Sequence, residues 1–362
     1  MAETKLKRVL IMAGGTGGHI FPGLAVANRL QADGVEVVWL GTENGLESRL
    51  VPSAGFPLYT IKINGLRGKG IKTFLIAPFK IVAAIIDARA IIRVLNPDVV
   101  IGMGGFASGP GGIASWLSRR PLIIHEQNAT AGLTNKMLAR IAKRVLEGFP
   151  GAFKSRKKVV TVGNPVRTEI INLPKPKKRL TPLHSPLRLL VLGGSLGARA
   201  LNEIVPQALM LLAPEERPVV LHQTGNKLMA IAKKAYESAD IDVTLQPFIE
   251  DMAAAYGWAD IVICRAGALT VAELCTVGLG AILIPFPHAV DDHQTANAEY
   301  MVRGGAAYCI QQPQLSKERL ADELKQFIDQ HEKCLTMAEA AYRLRYNDVT
   351  EKIVGICEEV SS

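Results

Sequence analysis

Two stretches of this chain set glycines or a helix start close to a titratable side chain. The first, MAGGTGGHIF at residues 12–21, follows the apolar run Val9-Leu10-Ile11-Met12 and places Thr16, Gly17, Gly18 and His19 in a turn with little side-chain bulk. A glycine turn between strand and helix lets a phosphate approach backbone N–H groups at the positive end of the helix, and an imidazole beside it can carry a proton. The dinucleotide frame Gly15-Thr16-Gly17-Gly18-His19-Ile20 has isoleucine in place of its third glycine, and no lysine follows the glycines as a P-loop requires. A tight turn that only starts a helix, with Pro22 near its first turn, is the plain structural alternative.

The second stretch is CRAGALTVAEL, residues 264–274, in which an apolar strand meets Gly267 and a helix bearing Glu273. Free N–H groups at such a helix start can hold a diphosphate, and an acid about one turn further on suits ribose hydroxyls. An acid favoured there by the helix dipole is the competing reading. His125, Glu126, Gln127 and Asn128 follow a further apolar run, Leu122 to His125, where ligand-facing residues of an α/β sheet belong. In PHAVDDHQTANA, residues 287–298, His288, Asp291, Asp292 and His293 lie on an irregular loop without a helical H-x-x-x-H pair. Hydrogen bonding to a sugar is expected there in preference to metal binding. Asp240 and Asp242 have the spacing of a metal-bridging pair but fall in a helix-to-strand connection, so no metal site is expected.

These residues need a scaffold, and the chain supplies one twice. Short apolar runs (Val9 to Met12, Val35 to Leu40, Val99 to Met103, Leu122 to His125) alternate with helix-length segments, the pattern of a parallel sheet covered by helices. LRLLVLGGSLGARALN, from Leu187, repeats the opening order of strand, glycines and helix, with Gly193-Gly194-Ser195 in place of Gly14-Gly15-Thr16. PDVVIGMGG (97–105) is echoed by ADIVICRAG (259–267). Two Rossmann-like, doubly wound units are expected, facing a cleft across which both glycine turns meet. The proline- and lysine-rich stretch 172–186 is read as an irregular, solvated connection.

At 362 residues the chain exceeds one ordinary core, and 48% hydrophobic with 21% charged residues describes a folded protein. The net charge of +9 favours acidic partners. Aromatics at 6%, not interleaved with basic clusters, argue against nucleic acid. Five cysteines without a C-x-x-C pair indicate neither zinc nor a disulfide framework, and fit a reducing compartment. No leader-like apolar core follows the charged N-terminus, and no apolar run is long enough to span a bilayer. Residues 72–95 are apolar around most of a helical circumference, with Lys62, Arg67, Lys69, Lys72 and Lys80 in and before them; this surface, Leu75 and Phe79 included, is expected to dip into an anionic membrane leaflet.

The ordered set Gly14 to His19 with Pro22, His125 to Asn128, Gly163-Asn164-Pro165-Val166-Arg167, Gly193-Gly194-Ser195, Ala268-Leu269-Thr270 with Glu273, and His293-Gln294 with Asn297 resembles the MurG family of bacterial peptidoglycan N-acetylglucosaminyltransferases, from about Arg8 to the last helix. The resemblance implies the GT-B glycosyltransferase fold, with an acceptor and membrane-associating domain at 1–165 onto which a final helix at about 343–362 packs back. Residues 166–342 would form the UDP-N-acetylglucosamine-binding domain. It implies transfer to undecaprenyl-diphospho-N-acetylmuramoyl-pentapeptide at the cytoplasmic face of the inner membrane, without cofactor or metal. By position, His19 and Glu126 are the catalytic pair, with the division of labour between them open. Donor contacts are implied for Thr16, Gly17, Gly18, Asn128, Arg167, Ser195, Ile249, Ala268, Leu269, Thr270, Val271, Ala272, Glu273 and Gln294. Leu196 stands where the family usually has glutamine, and Phe106 where relatives often have tyrosine. The same fold would suit a UDP-N-acetylglucosamine epimerase, which needs no lipid acceptor, or an idle nucleotide-sugar binding protein, which would keep Glu273 and lose His19 or Glu126.

Overall fold

The computed structural model describes residues 6–63, 71–154, 157–182, 184–194, 196–289 and 292–361, without the side chains of residues 71–75. The chain divides into two compact units, Met1–Pro165 with Tyr346–Ser362, and Val166–Arg345.

The first unit runs β1 (Arg8–Ala13), α1 (Gly17–Ala32), β2 (Glu36–Thr42), α2 (Glu47–Ser53), β3 (Leu58–Ile61), α3 (Ile71–Leu95), β4 (Val99–Gly104), α4 (Ser108–Leu117), β5 (Leu122–Glu126), α5 (Leu133–Leu138), β6 (Arg144–Glu147) and β7 (Val159–Thr161). The second runs α6 (Thr168–Ile171), α7 (Pro176–Arg179), β8 (Arg188–Leu192), α8 (Arg199–Met210), β9 (Val219–Gln223), α9 (Met229–Ala239), β10 (Thr244–Gln246), α10 (Met252–Trp258), β11 (Ile261–Cys264), α11 (Ala268–Val277), β12 (Gly280–Leu283), α12 (His293–Arg303), β13 (Ala307–Cys309), α13 (Lys317–Asp329) and α14 (Glu332–Arg343). The last helix, α15 (Val349–Ser361), belongs to the first unit.

Each unit is built on one parallel sheet, ordered β3-β2-β1-β4-β5-β6-β7 in the first and β10-β9-β8-β11-β12-β13 in the second. Both orders reverse direction beside their first strand, between β1 and β4 and between β8 and β11, and ligands of such sheets bind beyond the strand ends at that point. The internal echo has a physical counterpart there. Asp98, just before β4, accepts the Arg8 amide at 2.9 Å, and Asp260, just before β11, accepts the Arg188 amide at 2.8 Å, so in each unit one carboxylate ties together the starts of the two strands.

The first sheet is covered on both faces, which explains its almost uninterrupted apolar strands. On one face, α1 buries Ile20, Val26, Ala27 and Leu30, and Gly23 admits the Trp39 ring: a Cβ at Gly23 would lie 2.7 Å from Trp39 Cη2. Val349, Ile353, Val354, Cys357 and Val360 of α15 join the same core, with an ion pair from Arg29 to Glu351 at 2.7 Å on its surface. The opposite face is closed by α3 through Ala84, Ala88 and Ile92. In the second unit, Leu189, Val191, Ile261, Ile263 and Ile282 face α8 and α13.

Two local expectations change. Stretch 172–186 is not an irregular solvated connection throughout: α7 packs Pro176 and Leu180 inward, and Arg179 Nη2 donates to the Gly278 carbonyl at 2.6 Å, at the negative end of α11. The second glycine turn is also longer than the first, since α8 opens only at Arg199. There the glycines serve close backbone packing. A Cβ on Gly193 would lie 2.7 Å from the Ala198 nitrogen, and one on Gly197 (φ +79°) 2.2 Å from the Thr224 oxygen.

Candidate active site

In the first unit the site grows from the turn between β1 and α1. Gly15 takes φ +83°, and Thr16 caps α1 in extended conformation without a side-chain capping bond from any described residue. No acid occupies the first turn of the helix itself, and the N–H groups of Gly17 and Gly18 stand at its positive end. His19 folds back on this turn. Its Nδ1 donates to the Gly14 carbonyl at 3.0 Å, which places the lone pair of the neutral imidazole on Nε2. The ring packs against the end of β4: a Cβ at Gly104 (φ +109°) would come within 2.6 Å of His19 Cδ2. Gly105 (φ +91°) lets β4 meet the turn, since a Cβ there would lie 2.4 Å from the Gly14 oxygen.

The end of β5 supplies Glu126, whose buried carboxylate is fully engaged. Oε1 accepts the Asn128 amide and Nδ2, both at 3.1 Å; Oε2 accepts the Gly132 amide at 3.1 Å and Asn135 Nδ2 at 2.9 Å. Four donors on two oxygens make this residue the organiser of the loop that presents Asn128. His125 is fully buried; burial pushes its pKa down, and Nε2–H donates to the Gly163 carbonyl at 2.9 Å while Gln127 Nε2 donates to Nδ1 at 3.1 Å. Asn164 Nδ2 donates to the Gln127 carbonyl at 2.9 Å. The motif residues His125, Gln127 and Asn164 thus form the frame beneath Glu126 and Asn128.

In the second unit α11 opens behind Gly267 with no described side chain capping it and no acid in its first turn. Ala268, Leu269 and Thr270 supply the leading N–H groups, Val271 and Ala272 continue the helix, and Glu273 follows one and a half turns in. Asn297 Nδ2, from α12, donates to the Ala266 carbonyl at 3.1 Å and holds the turn in place. Glu273 is joined by Arg167 Nη2 at 3.4 Å on Oε1 and by the Tyr256 hydroxyl at 2.9 Å on Oε2. Burial raises the Glu273 pKa, with Arg167 opposing. Burial likewise holds the Tyr256 hydroxyl well above its usual range, as a donor. Ile249 is buried, its amide 3.4 Å from Gln223 Oε1, and Gln294 Oε1 accepts the Phe286 amide at 2.9 Å.

Of the expected residues, Thr16 to His19 come together on one turn, Glu126 and Asn128 on one loop, and Arg167 with Glu273 in one ion pair. Ser195 and Asp291 lie outside the described residues. Leu196 and Phe106 are exposed, at 82% and 52%. Two residues escaped sequence reasoning: Tyr256, seventeen positions before the acid it grips, and Glu47, buried beneath the first glycine turn. Glycines at 41 and 45, shortly before this first-turn acid, are a trace of the latter in the sequence. Among the described residues no cluster of three or more His, Cys, Asp or Glu is placed to hold a metal ion, and no helix is long and apolar enough to cross a membrane.

The glycosyltransferase family 28 N-terminal domain matches residues 9–147 and the family 28 C-terminal domain residues 188–353. Two relatives, from Marinobacter nauticus and Alkalilimnicola ehrlichii, are each named UDP-N-acetylglucosamine–N-acetylmuramyl-(pentapeptide) pyrophosphoryl-undecaprenol N-acetylglucosamine transferase. The first is 52% identical over 100% of both chains, the second 56% identical over 97% of this chain and 98% of its own. The crystal structure of Acinetobacter baumannii MurG is similar at 42% identity and a TM-score of 0.84, covering 98% of this chain and 99% of that one. A UDP-N-acetylglucosamine 2-epimerase structure, at 13% identity and a TM-score of 0.66 over 97% of this chain and 95% of its own, shares the GT-B fold alone. With both domains of the family matched in order and relatives more than half identical along essentially the whole chain, this protein belongs to glycosyltransferase family 28, within its MurG N-acetylglucosamine transferases.

Proposed function

We propose that this enzyme moves N-acetylglucosamine from UDP-N-acetylglucosamine to a hydroxyl of undecaprenyl-diphospho-N-acetylmuramoyl-pentapeptide, with inversion at the anomeric carbon. The observation that carries the reading is the unneutralised N-terminus of α11 followed by a held carboxylate, Glu273, which suits a nucleoside diphosphate. The α11 N–H groups and Arg167 would bind the donor's diphosphate, and Glu273 the uridine ribose, with Ile249, Gln294 and Ser195 as further donor contacts. The turn of Thr16, Gly17 and Gly18 would take the acceptor's diphosphate, and Asn128 would hydrogen-bond sugar hydroxyls.

His19 serves as the general base. Its Nε2 accepts the acceptor hydroxyl's proton while that oxygen attacks the anomeric carbon from the face opposite the diphosphate. The bond to the diphosphate then breaks and UDP leaves, its charge met by the helix end. Glu126 suits this role less well, since four N–H donors already occupy both of its oxygens. It positions Asn128 instead. A helix N-terminus and a guanidinium together supply the charge stabilisation that a metal gives in other transferases.

The acceptor's lipid tail calls for a membrane-facing surface, and α3 offers one. Its core-facing residues include Ala84, Ala88, Ile92 and Leu95, while Ile76, Phe79, Val82 and Ile86 are exposed at helical spacing; Phe79 is 76% exposed. Trp116 and Leu117 on α4 and Leu133 and Met137 on α5 extend the exposed apolar surface, and Lys80, Arg119, Lys136 and Arg140 are exposed beside them. An apolar face with a basic rim fits an anionic membrane surface, the cytoplasmic leaflet that carries the acceptor. Arg67, Lys69 and the side chains of Lys72 and Leu75 lie outside the described residues.

The test is to incubate purified enzyme with labelled UDP-N-acetylglucosamine, with and without the lipid-linked acceptor. Label is expected in the lipid fraction only when acceptor is present. Label recovered solely as an epimer of the nucleotide sugar refutes the transferase reading, and retention of intact donor in both arms leaves only the idle binding protein.

A further inference from the structure

The peptide group that joins Gly14 to Gly15 is held at both ends. Its carbonyl accepts Nδ1–H of His19 at 3.0 Å, and its N–H donates to Glu47 Oε2 at 2.9 Å. We propose that Glu47 is a positioning residue for catalysis, acting on His19 through this single peptide group, in a carboxylate–amide–imidazole relay. The inference rests on His19 being the base.

The cage around Glu47 is made for a carboxylate. The side chain is fully buried, and Oε1 accepts the Thr42 amide at 2.9 Å and the Thr42 hydroxyl at 2.7 Å. A Cβ at Gly14 or Gly45 would lie 2.4 or 2.2 Å from Glu47 Oε1, and one at Gly41 2.7 Å from its Cγ, so three glycines clear the space. Burial alone would raise the pKa of this carboxyl. The hydrogen bonds from Thr42 and Gly15 outweigh it, hold the pKa below its ordinary value and keep the group ionised. The acid starts α2, yet its carboxylate also reaches back to the β1–α1 turn, 32 residues earlier.

The chemistry follows from the direction of the dipoles. A carboxylate at the N–H end polarises the amide and makes its carbonyl oxygen a stronger acceptor. That oxygen grips Nδ1–H, fixes the tautomer with the lone pair on Nε2, and stabilises the imidazolium that forms when Nε2 takes the acceptor proton. The proton stays on Nε2 until solvent removes it; Nδ1 keeps its own proton and Glu47 stays ionised throughout. Gly14, Thr16 and Gly104 lie against the imidazole, and the ionisable neighbours of Glu47 along the chain, Glu43 and Arg49, are exposed.

Glu47→Gln tests this in the full-length enzyme. Its amide oxygen can serve Thr42, but its NH2 group then faces the Gly15 N–H and the relay is broken. With imidazolium stabilisation lost, the acidic limb of the kcat/KM–pH profile is expected to move down by roughly one pH unit, and plateau kcat to fall about 10-fold, with KM for the donor little changed. A residue that only supports the turn would lower Tm and leave the limb in place; that result overturns the proposal. Should the variant fold poorly, 15N spectra of the histidine rings in the wild type decide: Nδ1-protonated neutral His19 is expected, and an Nε2-protonated ring refutes the relay. His19→Ala separates the two readings. If it keeps full turnover, the base assignment fails; if it is inactive while Glu47→Gln leaves the pH limb unmoved, only the relay fails.

Discussion

Glu273→Ala removes the group proposed to read the ribose of UDP. A carboxylate accepting hydrogen bonds from two vicinal hydroxyls contributes roughly 1.5–3 kcal/mol, so Kd for UDP should rise about 10- to 150-fold. The structure adds a second consequence. Tyr256 donates to Glu273 at 2.9 Å from a buried position, and alanine strands that hydroxyl at a cost of about 1–3 kcal/mol in stability, a few degrees of Tm. Titration calorimetry well below Tm keeps the two effects apart. Tyr256→Phe provides the control: it leaves no stranded hydroxyl and keeps the carboxylate beside Arg167, so UDP should weaken less than with Glu273→Ala. Preference for UDP over 2′-deoxy-UDP should collapse in Glu273→Ala and persist in Tyr256→Phe. Acidification gives an independent reading. Because burial raises the Glu273 pKa above its ordinary 4.5, UDP affinity should begin to fall at a higher pH than an exposed carboxylate would cause. The same shift means that the folded unbound protein takes up this proton more readily than the unfolded chain, so its contribution to stability is present at low pH and is lost as pH rises through the raised pKa. If Glu273→Ala binds UDP as wild type does, or discriminates ribose as strongly, the donor-site reasoning is wrong.

His19→Ala should lower turnover by roughly 10²- to 10⁴-fold with little change in UDP affinity; near-normal turnover with a lowered Tm would reduce His19 to a support of the turn. Glu126→Gln should act through structure, since an amide cannot accept four N–H donors: a clear loss of Tm is expected, with the pH dependence of the remaining activity unchanged, and a displaced acidic limb in the kcat profile would restore Glu126 as the base. Phe79→Glu puts a charge in place of an exposed aromatic ring of α3 and should abolish co-sedimentation with anionic vesicles while circular dichroism stays native; equal binding by both proteins refutes the membrane face.

Where sequence reasoning succeeded, it relied on signals that are local in the chain. Alternation of apolar runs with helix-length segments revealed two parallel sheets, because strands buried on both faces carry almost no polar residue. The glycine turn before α1 could be read because a backbone at positive φ, as at Gly15, favours glycine. The order of the motifs named the family. The proposed division of labour within them rests on side-chain contacts whose geometry the sequence does not state. Glu126 and His19 look equally able to take a proton until four N–H groups are found on the one and a peptide carbonyl on Nδ1 of the other. Glu47 and Tyr256 carry no motif at all; each matters only because a strand order brings it under a turn or beside an acid that the chain places elsewhere. The face that α3 turns outward was equally hidden, since a helix apolar on all sides does not say which stripe packs. One stripe, with Ala84, Ala88, Ile92 and Leu95, took the sheet, and Ile76, Phe79, Val82 and Ile86 were left outside.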